Sequence, residues 1–212
     1  MQKNKIQEHW NKFYNKKNKD TGSSFSKFIY KKLKFYNLKK IIDVGCGNGR
    51  DSIYFYKKGF FVTGVDLSDV AIKNNRNLIN NNLKFKKFNI GTDTLNKKFD
   101  LIYSRFFLHA ISKNNENKLI KLINKLKKKN TFICFEFRND KDDIFNKFKP
   151  IKHNDFIDFG NNHFRRVINT KLFIKMFLKK VKCDLIYSHS SKNLSIVKKD
   201  NPNLTRLIFK TL

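Results

Sequence analysis

The chain has 212 residues, 40% apolar and 15% aromatic, which suits one packed domain and excludes general disorder. No apolar run reaches the roughly 18 residues of a membrane span. The start, Met1–Trp10, is polar, unlike a secretory signal, and Cys46, Cys134 and Cys183 lie far apart without metal-type spacing. A reduced, cytoplasmic, single-domain protein with no membrane association is expected. The net charge of +30, from 47 Lys+Arg against 17 Asp+Glu, taken alone suggests a nucleic-acid binder. Yet 40 of those 47 are Lys, and Lys, Asn, Phe and Ile make up over half the chain, while Ala and Pro occur twice each. The four abundant types share A/T-rich codons, so a biased genome explains much of the excess without any partner.

In chain order, residues 5–16 and 24–36 carry apolar groups at helical spacing, split by the polar Asp20-Thr21-Gly22-Ser23 turn. Lys40–Val44 predicts a short buried strand running into Gly45, Gly47 and Gly49, then a helix to Lys58 stopped by Gly59. Phe60–Val65 is the second strand, and Ser68 with Asp69 opens a helix to about Asn80. Leu83–Asn89 and Phe99–Ser104 are the third and fourth strands, with an amphipathic helix over Glu116–Lys128. Thr131–Phe137, continuously apolar, is a strand covered on both faces. Residues 139–168 are polar and irregular, a substrate-side insertion. A helix over 170–180 and strands near 183–189 and 204–210 close the chain, the last two paired as an antiparallel hairpin. The division is an arm (1–38), a core (39–137), the insertion (138–168) and a C-terminal unit (169–212). The fold class is α/β, doubly wound, with a mainly parallel seven-stranded sheet.

The chain has only eight glycines, and three fall within five residues after the first strand, where such sheets bind ligands. Bare backbone admits a ligand onto the turn, and the next helix offers free N–H groups. Asp66, about 20 residues on, ends the second strand where a carboxylate binds ribose hydroxyls. A nicotinamide cofactor would satisfy these facts too. Asp43 discriminates: a carboxylate there is awkward beside a pyrophosphate but suits the ammonium and sulfonium charges of S-adenosylmethionine.

The run Asp43-Val44-Gly45-Cys46-Gly47-Asn48-Gly49 resembles the first motif, D-x-G-x-G-x-G, of the class I (Rossmann-like) S-adenosylmethionine-dependent methyltransferases. Its continuation Gly49-Arg50-Asp51-Ser52, with Tyr54-Phe55 and Gly59, is similar to the branch acting on small molecules, including tellurite-resistance-type and thiopurine-type enzymes. Val65-Asp66-Leu67-Ser68 resembles the second motif, and Phe99-Asp100-Leu101-Ile102-Tyr103-Ser104 the fourth-strand motif. The resemblance covers about residues 40–137 and the C-terminal strand pair in outline. It implies S-adenosyl-L-methionine as cofactor, with S-adenosyl-L-homocysteine as product. Asp43, Gly45, Cys46, Gly47, Asn48, Gly49, Arg50, Ser68, Ser104 and Arg105 would line its site. Asp66 would take the ribose and Leu67 would lie beside the adenine. Asn89 stands where the family often has an Asp receiving the adenine amino group, and Ile90 would also line the cofactor site. The N-terminal arm, with Trp10, Tyr14, Ser24, Phe25 and Phe28, would fold over the cofactor as a lid.

Methyl transfer is an in-line displacement, so catalysis is largely positioning and exclusion of water, with a base where the acceptor must lose a proton. His109, after the fourth strand, is the first candidate base and His163 the second. The bland alternative for His109 is packing on the following turn. Arg50, Arg105, Arg138, Arg165 and Arg166 all fall near the expected active face, although composition drift replaces Arg by Lys. Arginine kept there suggests a fork for a phosphate or carboxylate. Tyr14, Arg105, His109, Arg138, His163, Arg165 and Arg166 are therefore the expected acceptor contacts. His153, Asp155, Asp158 and His163 match no metal-ligand spacing, so no metal is assigned. The expected partner is a small, anionic metabolite or sugar-linked acceptor; nothing in the pattern specifies an oligomer. The runner-up is an RNA or nucleotide methyltransferase using the Lys-rich surface. A third reading is a non-catalytic binding subunit that keeps the fold as a scaffold.

Overall fold

The computed structural model of the chain describes residues 2–14, 21–145, 156–158, 164–196 and 200–212. Helix α1 spans Gln2–Phe13 and α2 Ser24–Leu33; Ser23 caps α2 in a reciprocal capping box with Ser26. Strand β1 (Lys40–Val44) leads through the glycines to α3 (Arg50–Lys57), β2 (Phe61–Asp66) and α4 (Asp69–Lys73). Then come β3 (Leu83–Lys87), β4 (Leu101–Arg105), α5 (Lys113–Leu126) and β5 (Phe132–Arg138). A short ribbon of β6 (Phe156–Asp158) and β7 (Phe164–Arg166) precedes α6 (Thr170–Lys180), β8 (Cys183–Ser191) and β9 (Leu204–Thr211).

The seven-stranded sheet runs β3-β2-β1-β4-β5-β9-β8. Strands β1 to β5 are mutually parallel, while β9 lies antiparallel between β5 and β8. This is the expected doubly wound sheet with its antiparallel C-terminal pair. The order reverses between β1 and β4, which opens a crevice at their carboxyl ends. Both faces are covered, as continuous apolar strands require. On one, Phe25 and Ile29 of α2 and Ile53 and Phe55 of α3 pack on Ile41, Leu101 and Tyr103. On the other, Leu119, Ile123 and Leu126 of α5 and Phe173 and Phe177 of α6 pack on Ile42, Ile133 and Phe135.

Two expected elements differ. The helix opened by Ser68 stops at Lys73 instead of Asn80. Asn75 Nδ2 donates to the Ala71 carbonyl (2.8 Å), and Asn74 Nδ2 turns away to the Tyr14 carbonyl (2.8 Å). Asparagine side chains here offer the backbone an alternative to helix. The 139–168 stretch, expected to be irregular, holds a 3-10 turn at Asp143–Phe145 and the β6–β7 ribbon, whose Phe-Ile and Phe-Arg-Arg runs are too short to register as a pattern. Along the sheet edge, β3 alternates buried Leu83 and Phe85 with exposed Lys84 and Lys86. The opposite edge, β8, is interrupted by a register shift between Leu185 and Tyr187.

Candidate active site

The loop after β1 is pinned by Gly45 and Cys46 N–H donating to the Val65 carbonyl (2.9 and 3.1 Å). Gly45, Gly47 and Gly49 all take left-handed φ (77°, 53° and 75°), which L side chains rarely adopt. All three also lie under aromatic rings of the protein itself, Gly49 under Phe85. A Cβ at Gly45 would stand 2.4 Å from the Phe107 ring, and one at Gly47 would stand 2.6 Å from the Tyr14 hydroxyl.

Two acids flank this loop, Asp43 buried and Asp66 half-buried. Asp43, at the end of β1, accepts Ser52 Oγ (2.7 Å); burial, then the Asp51 charge, pushes it up to about 8. Asp66, at the end of β2, accepts Gly47 N–H (2.9 Å) with one oxygen and Ser68 N–H (2.9 Å) with the other. Burial raises it, while the amides of Ser68, Gly47 and Leu67 oppose the rise. Cys46 is pushed far up by burial and by both acids, which makes it an inert thiol. These acids fit a cationic ligand: a positive charge would relieve both desolvation and mutual repulsion. Asn48 is buried beside the loop, and Arg50 Nη2 donates to the Gly22 carbonyl (2.7 Å) while its Nε is buried without a hydrogen-bond partner.

Other expected cofactor contacts are engaged within the protein. Ser104 Oγ donates to the Val44 carbonyl (3.0 Å) and so ties β4 to β1. Asn89 Oδ1 accepts Gly91 N–H (2.9 Å), and Ile90 packs partly buried against the core. Ser68 caps α4 by accepting Ala71 N–H (3.2 Å), and Leu67 is half-buried between it and Asp66.

Helix α1 lies across this end of the sheet. Gln7 Nε2 donates to Asp69 (2.8 Å), and Asn11 Oδ1 accepts the Ser68 hydroxyl (2.7 Å). Tyr14, stacked on Trp10 at 5.8 Å, rests on Gly47; burial, then Asp66, holds its phenol protonated. The Arg165 guanidinium covers the other side of the arm, 5.3 Å from the Trp10 ring centroid.

On the acceptor side, the arginines divide. Arg105 Nε donates to Glu136 (2.8 Å), whose other oxygen takes Arg206 Nε (2.6 Å). The Arg105 guanidinium also lies 4.1 Å over the ring of Phe106, a non-glycine residue at φ 54°. Such an outlier persists only where its surroundings enforce it, here through Phe106 N–H on the Glu136 carbonyl (2.8 Å). Arg138 pairs with Asp142 (3.0 Å) and with Asp200. Arg166 is buried on Glu116 and donates to the Ile111 carbonyl (3.1 Å), so it holds the 108–111 turn against α5. Arg165, half-buried near Arg138 and Tyr14, is lowered to about 10 by partial burial and then by the Arg138 charge.

His109 is buried in that turn, and its Nδ1 accepts Arg138 N–H (3.1 Å). A neutral imidazole with Nδ1 so engaged carries its proton on Nε2 and keeps no lone pair for an acceptor. The geometry makes His109 a positioning residue for the end of β5. His163, with His153 and Asp155, lies outside the described residues, as does the side chain of Asp158. Among the described residues, no three His, Cys, Asp or Glu gather at metal-binding spacing, and no helix is long and apolar enough to cross a membrane.

Sequence reasoning missed Phe107 on Gly45, Glu116 under Arg166 and Asp51 under the arm. Asp51 follows the glycine motif directly, and its acid in a first helical turn reads as ordinary dipole compensation.

A family model described as "Methyltransferase domain" matches residues 10–177. The chain belongs to that family. Among curated proteins, one named as a methyltransferase in Geobacillus sp. (strain WCH70) is 49% identical over 49 residues, 22% of this chain and 20% of that protein. The curated relatives are matched over only 17–38% of their own length. Among solved structures, a SAM-dependent methyltransferase of Methanosarcina mazei superposes with a TM-score of 0.70 at 18% identity, over 84% of this chain and 94% of that one. A glycopeptide N-methyltransferase, MtfA, solved with (S)-adenosyl-L-methionine, gives 0.65 at 10% identity, over 91% and 96%. This methyltransferase-domain chain therefore has the fold of S-adenosylmethionine-dependent enzymes.

Proposed function

We propose that the protein is an S-adenosylmethionine-dependent methyltransferase whose acceptor is a small molecule bearing a carboxylate or phosphate. The cofactor half is supported by Asp43 and Asp66 beside the glycine loop. Asp66 would hold the ribose hydroxyls, and Asp43 would offset the cofactor's positive charges. The cofactor supplies an electrophilic methyl group on a sulfonium. The chain's part is to bind it, orient the acceptor in line and exclude water with α1, Tyr14 and Trp10.

The acceptor half rests on one observation, the nearness of the half-buried Arg165 guanidinium to Arg138. At Arg165 burial and a neighbouring guanidinium both disfavour the charge. An anion between Arg138 and Arg165 would relieve both costs and accept a bidentate fork. Three free cysteines are consistent with a reducing, cytoplasmic setting.

Calorimetric titration with S-adenosylmethionine tests the first half: binding to the native chain should collapse in Asp66→Ala. Acceptor candidates in charged and neutral (amide or ester) forms test the second. Charged forms should bind, and Arg165→Met should lose at least tenfold affinity for them; equal binding of both forms overturns the anionic reading. The RNA alternative is less well supported, because a groove lined by Lys40, Lys84, Lys97 and Lys98 lies at the amino ends of β1 to β3, away from the glycine loop. RNA binding that falls steeply with salt and competes with activity would favour it instead.

A further inference from the structure

The segment Gly47–Asp51 grips the N-terminal arm at two places. At one, Tyr14 sits on Gly47, and its carbonyl accepts Asn74 Nδ2 (2.8 Å). At the other, Arg50 Nη2 holds the Gly22 carbonyl (2.7 Å). Next to it, buried Asp51 accepts Ser23 N–H (2.7 Å) and Ser26 Oγ (2.9 Å) on Oδ1. Its Oδ2 accepts Ser23 Oγ (2.8 Å) and Tyr103 Oη (2.7 Å). Gly22 is pressed so closely on Tyr54 that a Cβ there would meet the ring at 2.6 Å. The carboxylate thus draws the root of the arm, α3 and β4 onto one point, one residue after Arg50. A carboxylate with four donors needs no ligand, and its place directly behind the glycine loop is what couples it to the site.

We propose that Asp51 is a positioning residue that sets the arm over the cofactor loop, so that seating of α1 and affinity for the cofactor form one equilibrium. Linkage makes the coupling reciprocal: whatever seats the arm tightens the cofactor, and the cofactor seats the arm by the same factor. The cofactor half of this statement rests on the function proposed above; the arm half does not.

Trp10, the one tryptophan in the chain, lies on α1 against Tyr14 and Arg165 and reports seating without any ligand. In Asp51→Ala, acrylamide quenching of Trp10 should rise at least threefold at temperatures where the fold is intact by circular dichroism. Binding of S-adenosylmethionine should weaken about tenfold, even though loss of the Asp51 charge by itself lets Asp43 ionise more readily. Asp51→Asn, whose amide oxygen still takes Ser23 N–H and Ser26 Oγ, should restore most of both. If Asp51→Ala does not fold, Ser23→Gly removes one donor while leaving a tolerated helix cap, and should raise quenching in the same direction. Unchanged Trp10 shielding in a folded variant of either kind overturns the proposal. Failure of the native chain to bind the cofactor would instead overturn the functional reading, and the quenching result would still decide the role of Asp51.

Discussion

Burial and the Asp51 and Asp66 carboxylates push Asp43 up to about 8, although the Ser52 hydroxyl and the Arg105 charge favour its ionised form. In the unfolded chain the same acid titrates near about 3.9. Between those values the folded state holds a proton that the unfolded state has released, so the contribution of Asp43 to stability is full below about 4 and is lost as pH rises toward 8. Asp43→Asn imitates the protonated acid. Its melting temperature should therefore exceed that of the native chain by a margin that widens from pH 5 to pH 8, as thermal melts will show; a constant margin contradicts the assignment. The same proton opposes a cationic ligand. Affinity for S-adenosylmethionine should climb with pH up to about 8, with proton release detectable by calorimetry in buffers of different ionisation enthalpy. One residue thus trades stability of the ligand-free fold for affinity.

At the scale of elements, buried ion pairs fasten the loops of the active face. Glu136 of β5 takes one guanidinium from β4 and one from β9. Glu136→Gln leaves two buried cations against a neutral amide, which should cost about 3–5 kcal/mol by denaturant titration. The loss should be larger than for any exposed pair such as Lys87–Asp69, where about 0–1 kcal/mol is expected. The seven strands of the main sheet were legible in the sequence as short apolar or aromatic runs, whereas β6 and β7 are too short to stand out. The start of α4 was legible because Ser68 caps it through its own side chain, whereas α5 opens at Lys113 on a Ser112 cap, three residues before the expected Glu116. The glycine loop with Asp43 and Asp66 was legible because its backbone demand and charge fall within one βαβ unit. The partners of Arg105, Arg166 and Asp51 were not: these pairs are 28 to 50 residues apart, and only the tertiary fold brings them together. The hydrogen bond of His109 to the end of β5 was not legible either, since it depends on a turn that no local pattern records.

For the whole molecule, +30 of net charge is a self-repulsion that compactness must overcome. Screening shortens from about 30 Å at 0.01 M salt to about 8 Å at 0.15 M. The melting temperature should accordingly rise over that range in sodium chloride, and a melt independent of salt would mean that the charges are already compensated locally. The lysines of β3 have another effect. A sheet that stops at β3 presents unpaired N–H and C=O groups on which a second chain could build. Exposed Lys84 and Lys86 stand along that border, and the register shift in β8 breaks the other. The lysine excess, which obscures what the protein binds, here works as colloidal insurance: at crowded concentrations each copy repels its twin along the β3 border, where fibre growth would begin.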